Sequence, residues 1–139
     1  EMREILFKAK RLDNGEWVEG NLITNERNEN QKYIGYIFDE RNGVIEDFDL
    51  VEVIPTTLCQ YTGLVDKNGQ KIWENDIVNR TDLHVVSEPS IGFIEYDLEN
   101  TSFLIHWTNK VEYSPTYHWK DKLQVIGNIF DNAELLKVE

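Results

Sequence analysis

Gln60-Tyr-Thr-Gly-Leu-Val-Asp-Lys-Asn-Gly-Gln-Lys-Ile-Trp-Glu-Asn-Asp-Ile-Val78 is the stretch that decides the fold. It reads as the end of one strand, a tight turn, a second short strand and the start of a third. Asn68-Gly69 is the turn signal, because both residues tolerate positive φ and the twist of such a turn matches paired strands. Gly63 supplies a further turn, and Leu64, Ile72, Trp73, Ile77 and Val78 supply apolar contact. Asp66 and Asp76 are short carboxylates placed to accept bonds from turn amides. The block is therefore expected to shape the fold instead of performing a reaction.

Working outward, residues 5–9 alternate apolar and polar, the period of a half-buried strand, and Asp13-Asn14-Gly15 turns the chain into a return strand over residues 17–23. Gly20 inside that strand points to a bulge or to close approach of another backbone. Residues 24–32 contain no apolar side chain and are expected to form an exposed, mobile loop. Residues 33–38 are aromatic and β-branched and too few for a helix, so they read as a strand; Asn42-Gly43 turns the chain, and a strand over residues 51–54 stops at Pro55. Beyond the central block, residues 80–90 read as a loop or an irregular edge, and residues 91–97 and 103–107 form a hairpin around the polar turn 99–102. A short strand is expected at 111–113, broken by Ser114-Pro115, and another at 123–126. Asp131, with an acid three residues on and paired leucines after it, marks one short C-terminal helix. Eight to ten short strands with turn signals at the spacing of sandwiches and barrels give a mainly β, antiparallel, barrel-like single domain over residues 1–139.

Composition supports a packed globule: 40% of the 139 residues are hydrophobic, and four Trp, six Tyr and six Phe provide apolar area. The single cysteine, Cys59, lies in an apolar run, reads as a small buried hydrophobe and suits a reducing, cytoplasmic setting. Neither a targeting segment nor a membrane-spanning run is expected. A net charge of −12 opposes the counterion release that drives phosphate-backbone binding, so nucleic acid is not the expected partner. Lys8, Lys10 and Arg11, the one local basic group, read as the solvated face of the first strand.

Three blocks in order carry a family resemblance: Arg3-Glu-Ile-Leu-Phe-Lys8, the central nineteen residues 60–78, and Val125-Ile-Gly-Asn-Ile-Phe-Asp-Asn-Ala-Glu-Leu-Leu136. Together they resemble the YopX protein family of small phage and prophage proteins. The resemblance implies a compact β fold of that type, a mobile-element origin and no established biochemical activity. The positions it marks as a structural motif are Gln60, Tyr61, Thr62, Gly63, Leu64, Asp66, Asn68, Gly69, Asp76, Gly127 and Asn128. The chain departs from the family pattern at Asn75, where Gly is usual, and at Ala133, where Pro is common. Asn is the best substitute for Gly at a left-handed position, and Ala suits a first helical turn, so both departures concern backbone shape.

No chemistry announces itself. His84, His106 and His118 are widely spaced and lack the companions of a zinc site, and no phosphate-cradling loop or nucleophile elbow occurs. No catalytic, cofactor-binding or metal-binding residue is assigned, and the protein is expected not to be an enzyme. Trp107, Tyr113, Tyr117 and Trp119 fall within thirteen residues and form a candidate interface, weighed against a role in the core. The expected function is that of a non-enzymatic binding or accessory module with a host or phage protein as partner, and self-association through strand edges is a second partner class. The alternatives are an acidic competitor of a host nucleic-acid-binding protein, motivated by the acids at residues 46–52 and 95–99, and a small metal-dependent enzyme.

Overall fold

Period-two patterning becomes a series of antiparallel strands in the computed structural model, which describes residues 2–82, 90–108 and 113–137, with the main chain only of Tyr113 and Lys120. The chain divides into two units, residues 1–60 and 61–139.

In the first unit β1 (Phe7–Lys10) pairs with β2 (Trp17–Asn25), β2 with β3 (Asn28–Arg41) and β3 with β4 (Val44–Val53). Gly15 (φ 74) and the Asn42-Gly43 corner (φ 52 and 80) make the turns the sequence marks. The stretch expected to be a mobile loop, 24–32, is instead the end of this hairpin: Thr24 pairs with Lys32 and Asn25 with Asn28. Its polar side chains stabilise it locally, since Asn25 accepts the Arg27 amide at 3.0 Å and donates to Gln31 at 3.0 Å. A lack of apolar residues removed the burial signal without removing the ladder. Ala9, Ile34 and Val53 form the core, with Phe7, Val18 and Leu58 against it. Buried Cys59 touches the Thr57 carbonyl through its sulfur at 3.2 Å, the inert role expected of it.

The boundary between the units falls inside β5 (Cys59–Val65), whose first residues pair with Phe7 and Lys8 and whose later ones pair with β6 (Lys71–Trp73). In the second unit β7 (Asp76–Arg80), β8 (Ile91–Asp97), β9 (Ser102–Trp107), β10 (Tyr113–Pro115) and β11 (Leu123–Asn128) make one sheet, in the order β10-β9-β8-β7-β11. Ile72, Val78, Ile94, Ile105, Trp107 and Leu123 are its core. The C-terminal helix is a single 3-10 turn, Ala133–Leu136, capped by Asn132 through backbone position alone, so the side-chain cap expected from Asp131 does not form. Residues 83–89 and 111–112, which include His84 and part of an expected strand, lie outside the described residues. Among the described residues no helix is long and apolar enough to cross a membrane.

Neither sheet closes, which corrects the barrel expectation. A barrel needs a continuous ladder between its first and last strands. In the first unit the far end of β4 is joined only by an isolated bridge, Arg11 to Val53. In the second unit β10 is three residues long and ends on Pro115, which has no amide to extend the ladder, and β11 carries an irregularity between Val125 and Gly127.

Gly20 is where two backbones crowd: a Cβ there would lie 2.9 Å from Ile34 Cγ2 and closer still to the Gly35 carbonyl oxygen. At Gly35 the nearest atoms would be the mobile ends of Ile23, 3.0 Å, and Leu50, 3.6 Å. Gly20→Ala is therefore expected to lower unfolding free energy by about 1–3 kcal/mol and Gly35→Ala by less than about 1, as measured by urea titration.

Candidate functional site

The central block works through main-chain partners. Asp66, 4% exposed, accepts the amides of Asn68 and Gln70 on one carboxylate oxygen and that of Val125 on the other, each at 2.9 Å. Only Gly69 (φ 80) takes positive φ, so the connection is a five-residue loop closed by Asp66 N–H to Gln70 O at 2.7 Å, not a two-residue turn on Asn68-Gly69. Gly63 (φ 87) bends β5 where its register with β6 shifts. Thr62 donates to the Ile72 carbonyl at 2.7 Å, Gln60 pairs with Phe7, and Leu64 packs on the second core. Tyr61 is buried with its ring 5.6 Å from that of Trp73. Asp76, 2% exposed, accepts the Trp73 amide at 2.8 Å across Asn75, whose φ of 70 is the left-handed conformation read from the sequence. Gly127 leaves room for Asn132, whose Cβ would be 2.9 Å from an added methyl, and Asn128 accepts the amides of Phe130 and Asp131 at 3.0 Å each.

The aromatic group at 107–119 does not form one surface. Trp107 is 2% exposed, meets Trp119 edge-on at 6.0 Å and donates its indole N–H to Ser114 at 3.0 Å. Trp119 is covered by Arg80 at 4.3 Å and Lys122 at 5.6 Å from its ring centre. Arg80 and Lys122 both reach Asp82, at 3.0 and 3.5 Å. The hydrogen bond from Arg80 holds the Asp82 carboxyl below its ordinary value of 3.8. Tyr117 is exposed, with its ring 4.2 Å from His118, and the Tyr113 side chain lies outside the described residues. Two of the four residues are therefore wall of the second core.

Charged groups are largely engaged locally. The amines of Lys8 and Lys10 sit 4.8 and 5.5 Å over the Trp17 ring, and Arg11 binds Asp13 at 2.8 Å. His106 stacks on Phe93 at 4.9 Å and faces Glu95 at 3.5 Å. In the acidic stretch of β4, Asp47 and Asp49 accept the amides of the residues following them at 2.9 Å, and Glu52 accepts from Gln31 at 3.2 Å. Among the described residues no three His, Cys, Asp or Glu side chains gather in a way that could hold a metal ion.

The feature that stands apart lies in the first unit. Pairing of β2 with β3 ends at Asn21–Gly35, whereas β3 and β4 continue together to Arg41–Val44, so the far half of that hairpin is a two-stranded arm. One pleat face of β3 and β4 is core, at Ile34 and Val51. The other carries Ile37, Ile45, Phe48 and Leu50 and is continued onto β2 by Ile23, all exposed, around an open hollow lined also by Gly35. Phe48 is 64% and Ile37 51% exposed. An antiparallel sheet with one wet face should alternate apolar and polar, and this one does not. The sequence signal is that residues 33–38 are apolar on both pleat faces, which a strand with one wet face does not require.

A family model described as YopX protein matches residues 6–137. The crystal structure of protein EF1440 from Enterococcus faecalis is similar over 98% of this chain and 100% of that one, with a TM-score of 0.60 and 23% identity, a likeness of fold. No curated protein matches the chain.

Asp66→Asn turns one acceptor oxygen into a donor facing a main-chain N–H and is expected to cost about 2 kcal/mol in urea unfolding. Because the Asp82 carboxyl is held low in the folded state, its stabilisation is present above 3.8 and is lost as pH falls through the folded value. Thermal melts between about pH 5 and pH 2 should therefore fall less steeply for Asp82→Asn than for the unaltered protein.

Proposed function

Since the chain belongs to the YopX protein family, matched over residues 6–137, we propose that it is a phage-encoded binding or accessory module of the host cytoplasm, acting by contact and not by catalysis. The observation that carries this reading is the exposed apolar face of β2, β3 and β4, centred on Ile37, Phe48 and Leu50. Large side chains left in water over a contiguous patch cost free energy that burial against a partner returns, at about 25 cal/mol per Å². The polar residues of the family motif support the same reading from the other side, because Asp66, Asp76 and Asn128 bond main-chain groups and build the scaffold. A net charge of −12, with Lys8, Lys10 and Arg11 held by Trp17 and Asp13, favours a protein over a nucleic acid as partner.

The test compares the tagged protein with Ile37→Ser/Phe48→Ser in capture from a lysate of the bacterial host. Both side chains are exposed, so the two proteins should melt alike. At least one protein retained by the unaltered chain should be absent with the double variant; an identical retained set would overturn the assignment of this face.

A further inference from the structure

Resting on the reading of this face as the contact surface, the geometry and charge of the arm specify what it contacts and how. We infer that the arm takes a basic amphipathic segment of another protein, seated across the Ile37–Phe48–Leu50 face through side chains and not added as a strand along the β4 edge.

The mode follows from the edge of β4. The Glu52 carbonyl accepts the Leu12 amide at 3.0 Å, which shows that Glu52 turns its main-chain groups away from β3. Residues alternate in this respect along an antiparallel strand, so Leu50 and Phe48 turn theirs outward as well. Those two outward amides donate to the side chains of Asp49 and Asp47 at 2.9 Å each. The donors that an added strand would need are satisfied within the arm, and each capping group is a carboxylate that would meet the incoming strand's carbonyls. Natural sheets blunt exposed edges by such means. The pleat face beside that edge carries no comparable block.

The partner's chemistry follows from the arm's charge. Over residues 36–50 the arm carries five acids, Asp39, Glu40, Glu46, Asp47 and Asp49, and one base, Arg41. Glu40 pairs with Ile45 and so shares the apolar face, whereas Asp49, between Phe48 and Leu50, projects from the other pleat face and accepts the Tyr36 hydroxyl at 3.1 Å. A second copy would bring the same charge, and a chain of net charge −12, against this one. A segment with Leu-like side chains on one face and Lys or Arg flanking them satisfies face and charge together.

Three labelled peptides serve as probes in fluorescence anisotropy: an amphipathic Leu/Lys peptide, its Leu/Glu twin and a Lys/Ser peptide with the charge but no apolar face. The Leu/Lys peptide should bind, should weaken at least about tenfold with Ile37→Ser/Phe48→Ser, and should weaken again as salt rises or with Glu40→Gln/Glu46→Gln. The twin and the Lys/Ser peptide should not bind. Asp47→Ala/Asp49→Ala uncovers the Phe48 and Leu50 amides and should make the protein self-associate in sedimentation velocity, whereas the unaltered chain should not. Preference for the Leu/Glu twin, absence of binding by the Leu/Lys peptide, or an unaltered chain whose oligomer is dissociated by Phe48→Ser would each overturn the inference. The first and last of these, being sensitive to the face, would leave it standing as a contact surface. Peptide binding and lysate capture both indifferent to Ile37→Ser/Phe48→Ser would remove both readings.

Discussion

The Asp66 carboxylate is the constraint on which the second unit depends. It is nearly withdrawn from water, and it takes three main-chain N–H groups, two from its own loop and one from Val125 on β11. A buried carboxylate without such donors would be costly, and the donors without it would be orphaned in turn. One side chain thus closes the β5–β6 loop and fixes that loop to the edge strand of the five-stranded sheet. The Lys67 amide donating to Leu123 O at 3.0 Å repeats the tie one residue on. At the other end of β6, Asn75 donates its amide to Ile94 O and receives that of Ile129, at 2.8 and 3.0 Å, which is why its backbone is held at a φ few side chains tolerate.

These ties were legible because they use short-range chemistry. Asp followed by Asn-Gly, or an Asn where a left-handed residue is needed, states its requirement within a few positions. Strand identity was legible for the same reason, since alternation at 5–9 or 91–97 is a local pattern. What did not show was anything decided by pairing across a distance. Residues 24–32 have no burial to report, yet they form a hairpin end because β2 and β3 are already aligned by Leu22 and Ile34. Closure was misread as well: strand count and spacing are shared by barrels and open sheets, and the difference lies in Pro115 and in one bridge at Val53.

The aromatic candidates are divided between core and surface for a related reason. Trp107, Tyr113, Tyr117 and Trp119 are dense along the chain, but density says nothing of direction. Trp107 faces the core, and Trp119 closes it under Arg80 and Lys122. The apolar face of the arm is assembled from three strands, Ile23 on one, Ile37 on another, Ile45, Phe48 and Leu50 on the third, and no window of sequence contains it. The failure of residues 33–38 to alternate is the local sign of a second apolar side.

An arm of two strands is a weak structure to leave in water, because a hairpin gains little burial until a third element covers one face. Here pairing with the nearest strand, β2, ends at Asn21–Gly35, and among the described residues no third strand pairs with β3 or β4 beyond it. The sequence nevertheless keeps Ile37, Ile45, Phe48 and Leu50 there, on the face where polar residues would cost least. It does so while guarding the adjacent edge with Asp47 and Asp49. Guarding the edge and leaving the face open separates two hazards that exposed strands usually carry together: indiscriminate strand pairing is blocked, and side-chain burial is not. A partner seated on the face would supply the layer that the arm lacks, and contact and local stability would then be coupled through the same side chains.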